Sequence, residues 1–237
     1  MSGYSKSFSL NSLLFSPKVR FHIQNIYGLV RTADEIVDTD RDNDALKILN
    51  TFEEETYSAI DDQFSTNPVI HSFAITARLY GIDAGLLNPF FESMRADLTI
   101  TKSLTKKQFE KYIFGSSEVI GLMCLKVFIK NNESKYNDLA SGAKKLGAAY
   151  QKINFLRDLE YDYRVLDRFY FPETSYETLT KSDLTSITTE VHLELIDTKK
   201  YILLLPWNSK IAVLISYYLH KFRLRQVKNE LIRTITI

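Results

Sequence analysis

Gln151-Lys152-Ile153-Asn154-Phe155-Leu156-Arg157-Asp158-Leu159-Glu160-Tyr161-Asp162 is the stretch from which the rest of the chain is read. In a helix, Asn154, Asp158 and Asp162 stand four residues apart and project their oxygens from one face. Gln151 lies one turn earlier on nearly the same stripe. Ile153, Leu156 and Leu159, spaced three apart, fall on another face and are expected to pack inward. The donors on the polar stripe are all oxygen, with no histidine or cysteine, a set suited to a hard cation such as Mg²⁺ rather than Zn²⁺. A solvated acidic face has the same composition, so one ladder alone leaves both readings open.

A second stretch, Tyr27-Gly28-Leu29-Val30-Arg31-Thr32-Ala33-Asp34-Glu35-Ile36-Val37-Asp38, repeats the pattern. Tyr27, Arg31, Asp34 and Asp38 follow one helical stripe, again with an arginine beside the carboxylates. Facing each other across a cavity, two such ladders would bind a cluster of Mg²⁺ ions. Those ions would in turn bind a polyanion such as a diphosphate, because Mg²⁺ shares its shell between a few carboxylates and phosphate oxygens.

Composition narrows the alternatives. The 237 residues are 45% hydrophobic, enough for a substantial core in one large domain or two small ones. A net charge of +1 argues against a nucleic-acid partner. The single cysteine, Cys124, fits a reducing compartment and reads as a core residue. The first residues are polar and lack the apolar segment of a signal peptide. Val119 to Ile129 is apolar but short and contains Lys126, and Tyr201 to Leu219 is broken by Pro206, Asn208 and Lys210, so neither reads as a membrane span. The expected location is the cytoplasm or the membrane periphery.

Helical periodicity runs through the chain with almost no strand alternation. Pro17 opens a helix that ends in the first ladder. Ala45 to Ile60, Val69 to Tyr80 with its stop at Gly81, and a segment starting at Asn88-Pro89 follow. Lys106 to Ile129 is the most apolar helix, and Asn137 to Asp162 carries the second ladder. Gly115, Ser116, Ser117 and Gly121 thin the apolar helix, either for close packing or to leave room for a ligand chain; packing is the commoner cause. Arg168-Phe169-Tyr170-Phe171-Pro172 reads as a loop, because proline stops a helix. Leu179 to Leu205 and Lys210 to Ile237 complete the helices, the last with Lys221, Arg223, Arg225 and Lys228 expected at the surface. That basic helix reads first as a solvated face and second as a contact with an anionic membrane. The architecture expected is all-α, one helical bundle over residues 1–237 with a central cavity. Ser5-Lys6-Ser7-Phe8 reads either as helix-capping hydroxyls or as phosphate donors.

The two ladders in this order, followed by Arg168-Phe169-Tyr170-Phe171-Pro172, resemble the squalene/phytoene synthase family of prenyltransferases, most closely the bacterial phytoene synthases. Ser5-Lys6-Ser7-Phe8 resembles that family's opening motif, Met94 and Asp97 a short Met-x-x-Asp signature, and Tyr112 to Gly121 its channel helix. The pattern departs from the family at Glu35, where many members have Asp, at Tyr4, where relatives can carry histidine, and at both ends, which are shorter than usual. The resemblance implies an isoprenoid-synthase-type bundle in which Asp34, Asp38, Asn154, Asp158 and Asp162 hold Mg²⁺, with Mn²⁺ as an alternative. Tyr27, Arg31, Gln151 and Arg157 would contact diphosphate or the prenyl chains, and Ser5, Lys6, Ser7 and Phe8 the second diphosphate. Asp34, Asp38, Asp158, Asp162, Arg31 and Tyr27 would carry the chemistry. An aromatic position in the last helix falls to Tyr217, Tyr218 or His220.

The implied reaction joins two prenyl diphosphates head to head, first of all two geranylgeranyl diphosphates to phytoene. Dehydrosqualene or squalene formation from farnesyl diphosphate is the alternative, with NADPH required only for squalene. A non-catalytic assembly factor and a different Mg²⁺-diphosphate enzyme, such as a terpene cyclase, are further readings.

Overall fold

The computed structural model describes residues 12–39, 44–99 and 104–234, and every regular element among them is helical. In order they are α1 (Pro17–Thr39), α2 (Ala45–Asp62), α3 (Pro68–Tyr80), α4 (Ala84–Asp97), α5 (Lys106–Ile113), a π-helical turn (Phe114–Glu118), α6 (Val119–Ile129), α7 (Glu133–Arg164), α8 (Lys181–Leu203) and α9 (Trp207–Thr234). α1 packs on α2, α3, α4 and α6, while α7 packs on α6 and the π turn on one side and on α8 and α9 on the other. The bundle therefore has two halves, one built on each ladder helix, joined through α6 and the π turn.

Local chemistry sets the boundaries. The Asn67 side chain accepts hydrogen bonds from the Val69 and Ile70 amides and starts α3. Thr105 with Gln108, and Thr180 with Asp183, form capping boxes at α5 and α8. Gly81 ends α3 in the left-handed conformation. α4 begins earlier than Asn88-Pro89 suggests: Asp83 caps the Gly85 amide, and Pro89 sits inside the helix. Pro89 has no amide proton to donate to the Gly85 carbonyl, so the helix forgoes one bond of its ladder there.

The core follows the apolar stripes. On α1, Val19, Ile23, Ile26, Leu29, Ala33 and Val37 are all buried, which turns Asp34 and Asp38 to the flank of that stripe. On α7, Ile153, Leu156 and Leu159 are buried as expected. Lys152 is also buried and pairs with Glu194 of α8 at 2.6 Å. Cys124 packs against the core, and burial pushes its thiol up to about 12.

The apolar stretch Lys106–Ile129 has the length and composition to cross a membrane, but two-thirds of its most apolar window is buried inside the bundle. It is not one α-helix. The Val119 amide reaches back to the Phe114 carbonyl, opening a π turn at Phe-Gly-Ser-Ser-Glu. The small residues here serve helix contact. A Cβ on Gly121 would stand 2.5 Å from the Ala143 carbonyl oxygen, and one on Gly147 would stand 2.5 Å from that of Ser117. Backbone meets backbone in both directions across the α6–α7 seam.

The last helix differs from expectation. Of Lys221, Arg223, Arg225 and Lys228, only Arg225 is exposed and the others are half-buried. Over Trp207–Phe222 the outward face of α9 is apolar instead.

Gly147→Ala should lower the unfolding free energy by about 1–3 kcal/mol, because neither backbone at the seam can give way without shifting a helix. Chemical denaturation monitored by circular dichroism measures this, and an unchanged midpoint would contradict the close contact.

Candidate active site

The two ladders meet through a residue that belongs to neither. Arg168, in the loop after α7, is 4% exposed. Its Nη1 donates to Asp38 Oδ1 at 2.9 Å, its Nη2 to the Val37 carbonyl at 3.3 Å, and its Nε to the Asp97 carbonyl at 3.1 Å. Its own amide donates to the Asp162 carbonyl at 2.8 Å, on the second ladder helix. One planar fork thus ties the C-terminal ends of α1 and α4 to the end of α7. Burial alone would weaken the proton's hold on Arg168, but Asp97, Tyr170 and Asp38 outweigh it and keep the group charged.

Asp97 is buried and accepts hydrogen bonds from the Tyr112 hydroxyl at 2.7 Å and the Tyr170 hydroxyl at 3.1 Å. Tyr170 stacks on Phe155 with ring centroids 4.0 Å apart, and Tyr112 lies 5.2 Å from Tyr170. This aromatic layer buries the side of the ladders away from solvent. Burial of Tyr112 and Tyr170, with Asp97 beside them, pushes both phenols well above their ordinary range.

The carboxylates act on one another. Asp162 is raised to about 7, first by burial and then by Asp158, with Asp38 and Asp97 adding to it against the pull of Arg168. Asp34 is raised to about 6 by burial, then Asp38, with Asp97 also contributing. The Asp34 side chain keeps 43% of its surface open to solvent, which screens these interactions. Asp38 and Asp97 thus act on carboxylates of both ladders, and Arg168 ties the C-terminal ends of the two stripes together.

The two ladder arginines pair with carboxylates on their own helices. Arg31 bridges Asp34 and Glu35, and Arg157 makes a forked contact with Asp158. Asp34, Asp38, Asn154, Asp158 and Asp162 are half-buried, as are Tyr27 and Gln151 on the same stripes. Among the described residues, no three carboxylate, imidazole or thiolate groups gather tightly enough to hold an ion on their own. Mg²⁺ takes only one or two protein carboxylates per ion and completes its shell with water and phosphate, so a preformed cage is not required. Mutually repelling, partly desolvated carboxylates on facing helices match the donor chemistry of such an ion.

His220 of α9 settles which aromatic of the last helix faces the ladder. Its ring stacks on Tyr150 at 3.6 Å, whereas Tyr217 is sealed in the core and Tyr218 points outward. Nδ1 lies 2.8 Å from the Ser216 carbonyl, which can only accept, so the proton sits on Nδ1 and Nε2 is left as a buried lone pair. Burial lowers its pKa to about 4.

Ser5, Lys6, Ser7 and Phe8 lie outside the described residues. Asp97, Tyr112, Arg168 and Tyr170 have no site role in the sequence reading. The available signal was a charge inside an apolar or aromatic run, at Asp97 and at Arg168, since such a charge needs a partner once buried.

A sequence model of the squalene/phytoene synthase family matches residues 1–225. The chain belongs to the squalene/phytoene synthase family. It is 30% identical over 173 residues to the chloroplastic phytoene synthase of Daucus carota, covering 72% of this chain and 43% of that one. It is 26% identical over 176 residues to the 4,4'-diapophytoene synthase of Staphylococcus haemolyticus, covering 72% of this chain and 59% of the relative. The aligned part thus spans about two-fifths to three-fifths of these two relatives. The fold matches a squalene synthase from Alicyclobacillus acidocaldarius with a TM-score of 0.83 at 18% identity, over 97% of this chain and 90% of that one. It also matches a dehydrosqualene synthase solved with a ligand, with a TM-score of 0.79 at 18% identity, over 98% and 93%. Members of this family are prenyltransferases.

Arg168→Met should cost about 3–5 kcal/mol of stability, since it strands Asp38 and two carbonyls near the core without a donor; thermal and chemical unfolding measure it. Asp97 supplies a pH test. Burial, then Asp38, raise it to about 6 despite Arg168, so the folded state binds its proton more tightly than the unfolded chain. Its contribution to stability is fully present below pH ~4 and is lost as pH rises through about 6. Metal-free wild type should therefore lose stability relative to Asp97→Asn across that window, and a melting-temperature difference that stays constant with pH would contradict the assignment.

Proposed function

We propose that this chain catalyses the head-to-head condensation of two prenyl diphosphates, with two geranylgeranyl diphosphates joined to give phytoene and diphosphate. The observation that carries the proposal is the coupling of two acidic ladders on facing helices through Arg168 and Asp97. The identity to phytoene synthases supports the longer substrate. The diapophytoene synthase relative and the squalene- and dehydrosqualene-synthase folds favour farnesyl diphosphate as the second reading.

Asp34, Asp38, Asn154, Asp158 and Asp162 would hold Mg²⁺, which when bound neutralises charge on the leaving diphosphate. Arg31 and Arg157, which lie beside Asp34 and Asp158, would donate charge-assisted hydrogen bonds to phosphate oxygens. Tyr27 and Gln151, on the same stripes, add neutral donors. Ionisation breaks the allylic C–O bond and leaves a carbocation. The layer of Tyr112, Phe155 and Tyr170 excludes water from one side, and its ring faces favour positive charge. The second substrate's double bond attacks the cation and a proton leaves to give a cyclopropyl intermediate. A second ionisation expels the second diphosphate, and the rearranged cation loses a proton to give phytoene. Arg168 acts by position, holding Asp38 and the Asp97 backbone in register with α7.

Asp38→Asn and Asp158→Asn should each lower Mg²⁺-dependent diphosphate release by roughly 100-fold or more while leaving the helical spectrum intact. Incubation with farnesyl or geranylgeranyl diphosphate, with and without NADPH, followed by mass analysis, identifies the product. Full turnover in both variants, or no symmetric hydrocarbon from either substrate, would overturn the proposal.

A further inference from the structure

Over Trp207–Phe222 the outward face of α9 is apolar where a solvated helix would be polar. Trp207, Ile211, Ile215, Tyr218, Leu219 and Phe222 recur at helical spacing, and all six are exposed, Trp207 at 75% and Phe222 at 61%. They form a stripe about 22 Å long at the rise of an α-helix. At its start Leu203 and Leu204 of the α8–α9 turn are exposed as well, Leu204 at 65%. α8 and α9 pack side by side, so the apolar surface is continuous with the end of α8.

The rim of this face is basic. Lys210 Nζ lies 5.2 Å from the Trp207 ring and Lys199 Nζ lies 5.6 Å from the Tyr218 ring, each ammonium set against an exposed aromatic. Across Trp207–Thr234 the helix carries Lys210, Lys221, Arg223, Arg225, Lys228 and Arg233 against one acid, Glu230. The two halves of the bundle already have their core contacts, and this face belongs to neither.

Two occupants fit an exposed apolar stripe: a second copy of the chain, or a lipid surface. A two-fold contact would set this basic helix against itself, which like charges oppose. An anionic bilayer satisfies both features together. Apolar side chains enter the headgroup–acyl boundary, aromatic rings sit at its level, and lysines and arginines reach lipid phosphates. We propose that the α8–α9 face, centred on Trp207, Ile211, Ile215 and Phe222, docks the protein on an anionic membrane surface. This goes beyond the catalytic reading and does not depend on it. It would place the bundle where an oily hydrocarbon can leave without crossing water.

The test is co-sedimentation of the full chain with phosphatidylcholine vesicles and with phosphatidylcholine–phosphatidylglycerol vesicles. Binding is expected to the anionic vesicles only, weakening as salt is raised. Trp207→Ser with Phe222→Ser should weaken it by roughly tenfold or more, and Lys210→Glu with Arg225→Glu similarly, since the two contributions act together. These residues are at the surface, so the variants should keep the wild-type helical spectrum and melting temperature. Protein left in the supernatant with anionic vesicles would overturn the proposal, as would binding that ignores the apolar pair. Dimerisation in sedimentation velocity, abolished by the same pair without any vesicle binding, would overturn it in favour of a second copy. Diphosphate release measured in detergent solution should be unchanged in these variants, which separates failure of docking from failure of the catalytic reading.

Discussion

The structure depends on one buried guanidinium. Arg168 is placed by the end of α7, yet its three donor groups serve Asp38 and the Val37 carbonyl on α1 and the Asp97 carbonyl on α4. A lysine could not do this, because a single ammonium cannot address acceptors spread along a planar fork. The interaction is strong because it is desolvated, and it persists because every arm has an acceptor. Holding it requires the loop after α7 to turn inward, which is why Phe169, Tyr170 and Phe171 are buried in a segment that has no regular structure. The stack of Tyr170 on Phe155 and the hydroxyls on Asp97 follow from that turn.

Around this anchor the charges do not balance locally. Asp34, Asp97 and Asp162 are all held above the ordinary carboxylate range, first by burial and then by one another or by Asp38 and Asp158. Arg31 and Arg157 relieve only the carboxylates beside them. Perturbed carboxylates gathered in this way mark a functional site, and the family to which the chain belongs binds prenyl diphosphates. α7 can lie this close to α6 and the π turn because the seam has no side chain at Gly121 or Gly147. The π turn at Phe114–Glu118 lies in the same seam, next to Tyr112.

The ladders were legible in the sequence because both follow the helical period, and that period survives into the fold without change. Their partner was not legible. Arg168 and Asp38 are 130 positions apart, and Arg168 and Asp97 are 71 apart, so no local pattern connects them. Asp97 and Arg168 were visible as parts of family-like motifs and as charges in apolar surroundings, but not as partners. The small residues of the apolar helix favoured packing over a ligand channel on general grounds, and the Ala143 and Ser117 carbonyls against Gly121 and Gly147 show that contact. Pro89 suggested a helix start because a first-turn proline is common, but the cap at Asp83 lies further upstream.

By itself the sequence determined the all-helical class, the helix order and the two oxygen stripes, since each is a matter of residue type at spacings of three and four. Tertiary structure alone decided which groups neutralise those stripes and which way the last helix faces. α9 carries apolar side chains around most of its circumference, and its basic residues suggested a solvated surface. Only packing against α7 and α8 selects Tyr217 and Leu224 for the core and leaves Trp207 and Phe222 outside. A helix's period says that a face exists, but what lies against that face is set by residues far away in the chain.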